Sequence, residues 1–152
     1  MNMKMATFVA VAWIVLGQAT AVPPHQQAWV KAFEGTWVPE NTQGGNADVA
    51  VTITLEKEML VLKTSVGSRQ MQTRYDLSGA SLNNSTVGRP AVFKTRFEGE
   101  KIVTDIWDAA EAVGPPTRTE TRYLASPDRM VGEVRNVSDG RIATQGALVR
   151  RK

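Results

Sequence analysis

From Val49 almost to its end, the chain alternates apolar and polar side chains with a period of two, broken only by turns. Val49, Val51, Ile53 and Leu55 alternate with Ala50, Thr52, Thr54 and Glu56. Leu60, Leu62, Thr64 and Val66 continue the pattern after the Glu56-Lys57-Glu58 turn, and Met71, Thr73, Tyr75 and Leu77 follow Gly67-Ser68. Successive side chains of an extended chain point to opposite faces, so this period makes half-buried strands and suits no helix face. The β-branched enrichment agrees. Phe93, Thr95 and Phe97 open a further run, and Lys101 to Trp107, Thr117 to Leu124, Met130 to Val137 and Arg141 to Val149 read as the remaining strands. About eight strands therefore come after the Trp37 segment, nearly all joined by short turns. The Gly-, Ser- and Asn-rich stretch from Ser78 to Pro90 reads as the longest loop and as a mobile one.

Sequential antiparallel strands at this spacing suit a sandwich or an up-and-down barrel. Greek-key wiring needs long crossovers, and only Ser78 to Pro90 and Ala109 to Pro116 could serve as one. The expected fold is therefore all-β, an antiparallel up-and-down meander forming an open or closed barrel, since closure removes exposed strand edges. A short helix should precede it. Ala28, Trp29, Ala32 and Phe33 share one helical side between Pro23-Pro24 and Gly35, which are the start and stop signals of such an element. Trp29 and Phe33 should dock on the strands beyond the helix.

The first residues read as a leader rather than as part of the fold. Lys4, an apolar run from Met5 to Leu16 and the small residues up to Ala21 have the order of a secretory signal, too short for the roughly 20 residues of a permanent span. Cleavage is expected after Ala21, giving a leader over 1–21, a single domain over 22–152 and an exported protein, periplasmic or extracellular in a bacterium, without stable membrane insertion. N-terminal sequencing of the exported chain should begin near Val22. There are no cysteines, so the domain has to stand on packing alone. The net charge of +3 is spread evenly, with Arg150-Arg151-Lys152 the one basic run, so nucleic acid is not an expected partner.

A short helix, then Gly35-Thr36-Trp37 at the first strand, then a meander with an arginine near its end, resembles the calycin superfamily of lipocalins and fatty-acid-binding proteins. The segment Thr119-Glu120-Thr121-Arg122-Tyr123-Leu124 followed by Ser126-Pro127-Asp128 is similar to a hairpin of small secreted lipocalin-like bacterial proteins with a G-x-W motif. The resemblance runs from about Ala28 to Lys152. It implies that Trp37 seals one end of the barrel beneath a guanidinium, Arg150 or Arg151. It also implies that an interior arginine holds a ligand carboxylate, a role that falls on Arg122. Pro39 departs from the pattern and should make the first strand short or an edge.

Catalytic groups are scarce. His25 is the one histidine and lies near the expected new N-terminus, no cysteine nucleophile exists, and the carboxylates show no metal-ligand spacing. No enzyme, cofactor or metal is therefore expected. More informative are Arg96, Asp105, Glu120 and Arg122, charges set within alternating strands. Any of these that points inward has to pair or bind a charged group, because an unpaired buried charge is expensive; Arg96 and Arg122 facing water is the alternative. Trp37, Leu62, Met71, Tyr75, Phe93, Phe97, Ile106, Arg122 and Val134 are the candidate ligand-binding set. The same apolar residues would equally fill a solid core. The expected function is an exported protein holding a small apolar or amphipathic molecule in the barrel. The alternative is a barrel with a filled core acting by its surface, as an inhibitor or envelope interaction module whose protein partner the sequence does not name, through the Ser78 to Pro90 loop.

Overall fold

The computed structural model describes residues 24–41, 48–86 and 88–152. The expected leader over 1–21 and the side chain of His25 lie outside the described residues. Helix α1 (Pro24–Lys31) leads into β1 (Gly35–Pro39), β2 (Val49–Glu56), β3 (Met59–Val66), β4 (Arg69–Asp76) and β5 (Ser81–Thr86). The chain continues through β6 (Arg89–Phe97), β7 (Ile102–Trp107), β8 (Arg118–Ser126), β9 (Arg129–Asn136) and β10 (Ile142–Arg150). The strand order is β4-β3-β2-β1-β10-β9-β8-β7-β6-β5, antiparallel throughout, so the meander curls until its two outer strands, β4 and β5, meet. The result is a nearly closed up-and-down barrel. At the seam Asn84 substitutes for a backbone ladder: its Oδ1 accepts from the Arg74 N–H at 3.3 Å and its Nδ2 donates to the Arg74 carbonyl at 2.9 Å. One amide side chain thus satisfies both backbone groups of Arg74 on the edge of β4.

One expectation needs correction here, and a second is met in one of its two forms. The Ser78 to Pro90 stretch is mostly wall rather than loop: Ser81 to Thr86 pair residue by residue with Lys94 to Arg89. Its Ser and Asn residues have weak strand propensity, but pairing to β6 and the Asn84 seam bonds override it. β1 is short, yet it is no edge, being paired with β2 through Gly35–Trp37 and with β10 through Trp37–Pro39. Pro39 falls past the β2 ladder, where a missing N–H costs least.

The inner face carries the core, with Ile53, Leu60, Leu62, Phe93, Ile102 and Met130 all buried. Thr95 and Thr104, directly opposite across β6 and β7, pair their buried hydroxyls at 3.1 Å, so both remain satisfied without water. The two ends of the barrel differ. One is plugged by α1, whose Trp29 meets Phe97 edge-on at 6.0 Å and Phe33 at 5.3 Å. Trp37 is completely buried there, and its Nε1 donates to the Phe33 carbonyl at 2.8 Å. The Arg150 guanidinium lies 4.4 Å over the Trp37 ring and donates to the carbonyls of Glu34 at 2.6 Å and Ala32 at 2.8 Å. Those carbonyls lie just past the end of the helix, where backbone acceptors lack partners within it. The opposite end is a mouth with an oily rim. The exposed large hydrophobic residues of the described chain, Val66, Met71, Val113, Val137 and Ile142, all lie at this end.

Candidate functional site

Inner-face alternation along β8 brings Glu120, Arg122 and Leu124 into the barrel, with Tyr123 outward beneath Lys101. Across the lumen, β4 presents Tyr75. The Tyr75 hydroxyl donates to Glu120 Oε2 at 2.9 Å and accepts from Arg122 Nη2 at 3.0 Å, while the same Nη2 pairs with Glu120 Oε1. The guanidinium also sits 5.3 Å from the centre of the Tyr75 ring, which leans on Phe93 at 5.5 Å. A closed triangle of acid, base and phenol therefore ties opposite walls together. The charged side chains are only 18% and 12% exposed, so their attraction is weakly screened by solvent.

Burial shapes both titrations. It pushes the Tyr75 phenol well above its ordinary value near 10.0, with Glu120 adding to the shift and Arg122 opposing it. Burial works against the charge on Arg122, but Glu120 and Tyr75 overcome it and hold the guanidinium more firmly protonated than usual. One group in the triangle is unmatched: Arg122 Nε is buried and finds no acceptor among the described residues. Such a donor forgoes a hydrogen bond that water would supply.

Beside the triangle the wall is not filled. Arg122 faces Gly132 on β9, and Gly132 faces Gly146 on β10, so a pair of glycines continues the row of inner residues. A Cβ added at either would meet nothing within 4 Å. This gap forms a cavity of about 170 Å³ lined by Glu120, Arg122, Met130, Val134, Thr144 and Leu148 with the two glycines. A wider depression outside the barrel, around the β2–β3 turn, is lined by Glu56, Lys57, Glu58 and Asp76 and is open and charged, a poor place for an apolar molecule.

The candidate ligand-binding residues read from sequence fall into four groups. Tyr75 and Arg122 meet in the triangle, and Val134 lines the cavity beside them. Leu62, Phe93 and Ile106 are buried in the packed part of the interior. Trp37 and Phe97 belong to the plugged end, and Met71 is 48% exposed at the mouth. Arg96 points outward, paired with Asp105 at 2.5 Å and with Glu98 at 2.9 Å. The glycine pair, Met130, Thr144 and Leu148 were not anticipated; their signal was an inward glycine in each of two neighbouring strands, visible only once the register is known.

No family model matches the chain, and no curated protein matches it in sequence. Solved structures do share its shape. The REP1-NXSQ fatty acid transporter aligns with a TM-score of 0.56 at 14% identity, over 78% of this chain and 96% of that one. Caenorhabditis elegans lipid binding protein 8 aligns with a TM-score of 0.59 at 12% identity, over 80% of this chain and 96% of that one. A point mutant of the fluorescent protein UnaG gives 0.59 at 16% identity, over 81% of this chain and 99% of that one. These structures and this chain thus share the up-and-down barrel, and at these identities the likeness is one of fold alone.

Proposed function

We propose that this protein is an exported carrier, periplasmic or extracellular, that holds a small apolar or amphipathic molecule in the barrel with its polar end beside Glu120 and Arg122. The observation that carries the reading is the unfilled inner wall next to a buried charge network. A barrel needed only as a scaffold gains by filling such a gap, whereas two facing glycines keep it open. The cavity is smaller than the roughly 300 Å³ at which pockets for whole drug-sized ligands begin. It therefore encloses one end of a ligand, and the apolar mouth accommodates the remainder. Two of the structural neighbours are named as a fatty acid transporter and a lipid binding protein, which suits the same class of cargo. The segment that the surface-acting alternative would use as a mobile contact is largely strand β5.

The test is native mass spectrometry of the protein exported by its own host, together with titration by the uncharged fluorescent dye Nile red. Cargo that departs on denaturation, or saturable uptake of the probe, is the expected result. A bare mass with no uptake sinks the proposal. Gly146→Val sharpens the experiment by adding bulk to the cavity in a residue that strands favour. Uptake should fall tenfold or more, at about 1.4 kcal/mol per factor of ten. Stability should hold or rise by about 0.5–1 kcal/mol, because glycine inside a strand is entropically unfavourable. A Gly146→Val protein that binds as tightly as the parent would place the ligand elsewhere.

A further inference from the structure

We infer that the cavity selects a ligand whose head is uncharged and hydrogen-bonding, a carbonyl or a hydroxyl, over one ending in a free carboxylate. The inference rests on the binding reading above and narrows it to a substrate class. It also gives Arg122 a different part from the carboxylate-holding one that resemblance implies.

The charge on Arg122 is already matched. Glu120 lies against the same guanidinium, and both of its oxygens are engaged, one by Arg122 and the other by the Tyr75 hydroxyl. No other residue lining the cavity carries a charge: Met130, Val134, Thr144, Leu148 and the two glycines are neutral. The nearest arginine toward the mouth on the same strand face, Arg118, is itself paired with Asp108 at 2.6 Å. A carboxylate entering the cavity would thus face Glu120 with no cation left to offset it, in surroundings where neither partner of the pair is more than 18% exposed. Two carboxylates sharing such a site repel strongly enough to shift ionisation by units. A neutral head meets no such opposition. An ester carbonyl or an alcohol oxygen can still accept from the part of the guanidinium that the network leaves unused, since Tyr75 and Glu120 both bond the same Nη2. An alcohol can in addition donate to Glu120, whose oxygens hold spare lone pairs.

The experiment compares dodecanoate, dodecanol and methyl dodecanoate at neutral pH, each displacing the uncharged dye Nile red from the full exported chain. The ester and the alcohol are expected to bind at least about tenfold tighter than the ionised acid. Glu120→Gln, which removes the competing negative charge and frees the guanidinium, is expected to reverse that order. An acid that binds the parent protein as tightly as the ester overturns the inference while leaving the carrier reading intact. A folded Glu120→Gln protein that keeps the parent's order overturns it as well. Should Glu120→Gln not fold, the order in the parent protein decides alone. If none of the three molecules nor the dye binds, the carrier reading fails and takes this inference with it.

Discussion

Arg122→Met is expected to destabilise the protein by about 3–5 kcal/mol, the usual effect of stranding one member of a buried ion pair. Methionine roughly replaces the aliphatic stem, so little of the loss comes from packing. What remains is Glu120, 12% exposed and reduced to a single donor, the Tyr75 hydroxyl. The double variant Arg122→Met/Glu120→Gln should recover most of the loss, since removing both charges together is commonly neutral or stabilising. Tyr75→Phe should cost about 1–2 kcal/mol, because it deletes one donor to Glu120 and one acceptor for Arg122 but leaves the pair in place. Urea unfolding midpoints of the four proteins give all three differences. A cost below about 1 kcal/mol for Arg122→Met would mean that the pair behaves like a surface ion pair, reached by water from the mouth. In that case the preference for a neutral ligand would lose its electrostatic basis.

How much of this site is legible in the sequence differs from one strand to the next. Period-two patterning made eight strand segments beyond the Trp37 segment legible, because an amphipathic wall leaves its signature in each strand separately. It failed at β5, where Asn83, Asn84, Ser85 and Thr86 carry no apolar alternation after Leu82. That strand exists because β6 pairs with it along its length and Asn84 bridges to β4, and both are tertiary facts. The same limit governs the site. Glu120 and Arg122 could be placed on one face with each other and with Leu124, but whether that face was wet or buried required the register to Ile102 and Gly132. Arg96 looked equivalent in its own strand and faces outward, because its parity opposes that of Phe93, Thr95 and Phe97. The Gly132–Gly146 juxtaposition lay furthest out of reach, since two glycines fourteen positions apart meet only through the β9–β10 pairing. Trp37 and the helix were easier, as a local start-and-stop signal and a bulky aromatic are readable without knowing any partner.

At the plugged end, Gly35→Ala and Arg150→Ala are each expected to cost about 2–4 kcal/mol, and the two losses should not add. Arg150 closes this end in three ways at once: its cation lies over the Trp37 ring, it donates to the carbonyls beyond α1, and it reaches the Pro127 carbonyl at 3.2 Å. The ring contact is worth about 0.5–2 kcal/mol, and each charge-assisted hydrogen bond a further 1.5–3 at most. Partial exposure of the arginine, 28%, pulls the total toward the lower part of that range. Gly35 is required for two separable reasons. Its φ of 135° lies in a region closed to side chains, and a Cβ there would stand 2.5 Å from Arg150 Nη1. Alanine must therefore strain the backbone and push the guanidinium off its acceptors. In an Arg150→Ala background the collision disappears and only the backbone strain is left, so Gly35→Ala should cost about 1–3 kcal/mol there. The difference between the two backgrounds is the coupling energy of the cycle, expected at about 1–2 kcal/mol for residues in direct contact. Arg150→Lys should recover less than half of the alanine loss, because an ammonium keeps the charge over Trp37 but cannot fork to carbonyls on both sides. Thermal unfolding of the four-member cycle measures the coupling, and strict additivity would show that Gly35 serves only its own backbone and not the seat of Arg150.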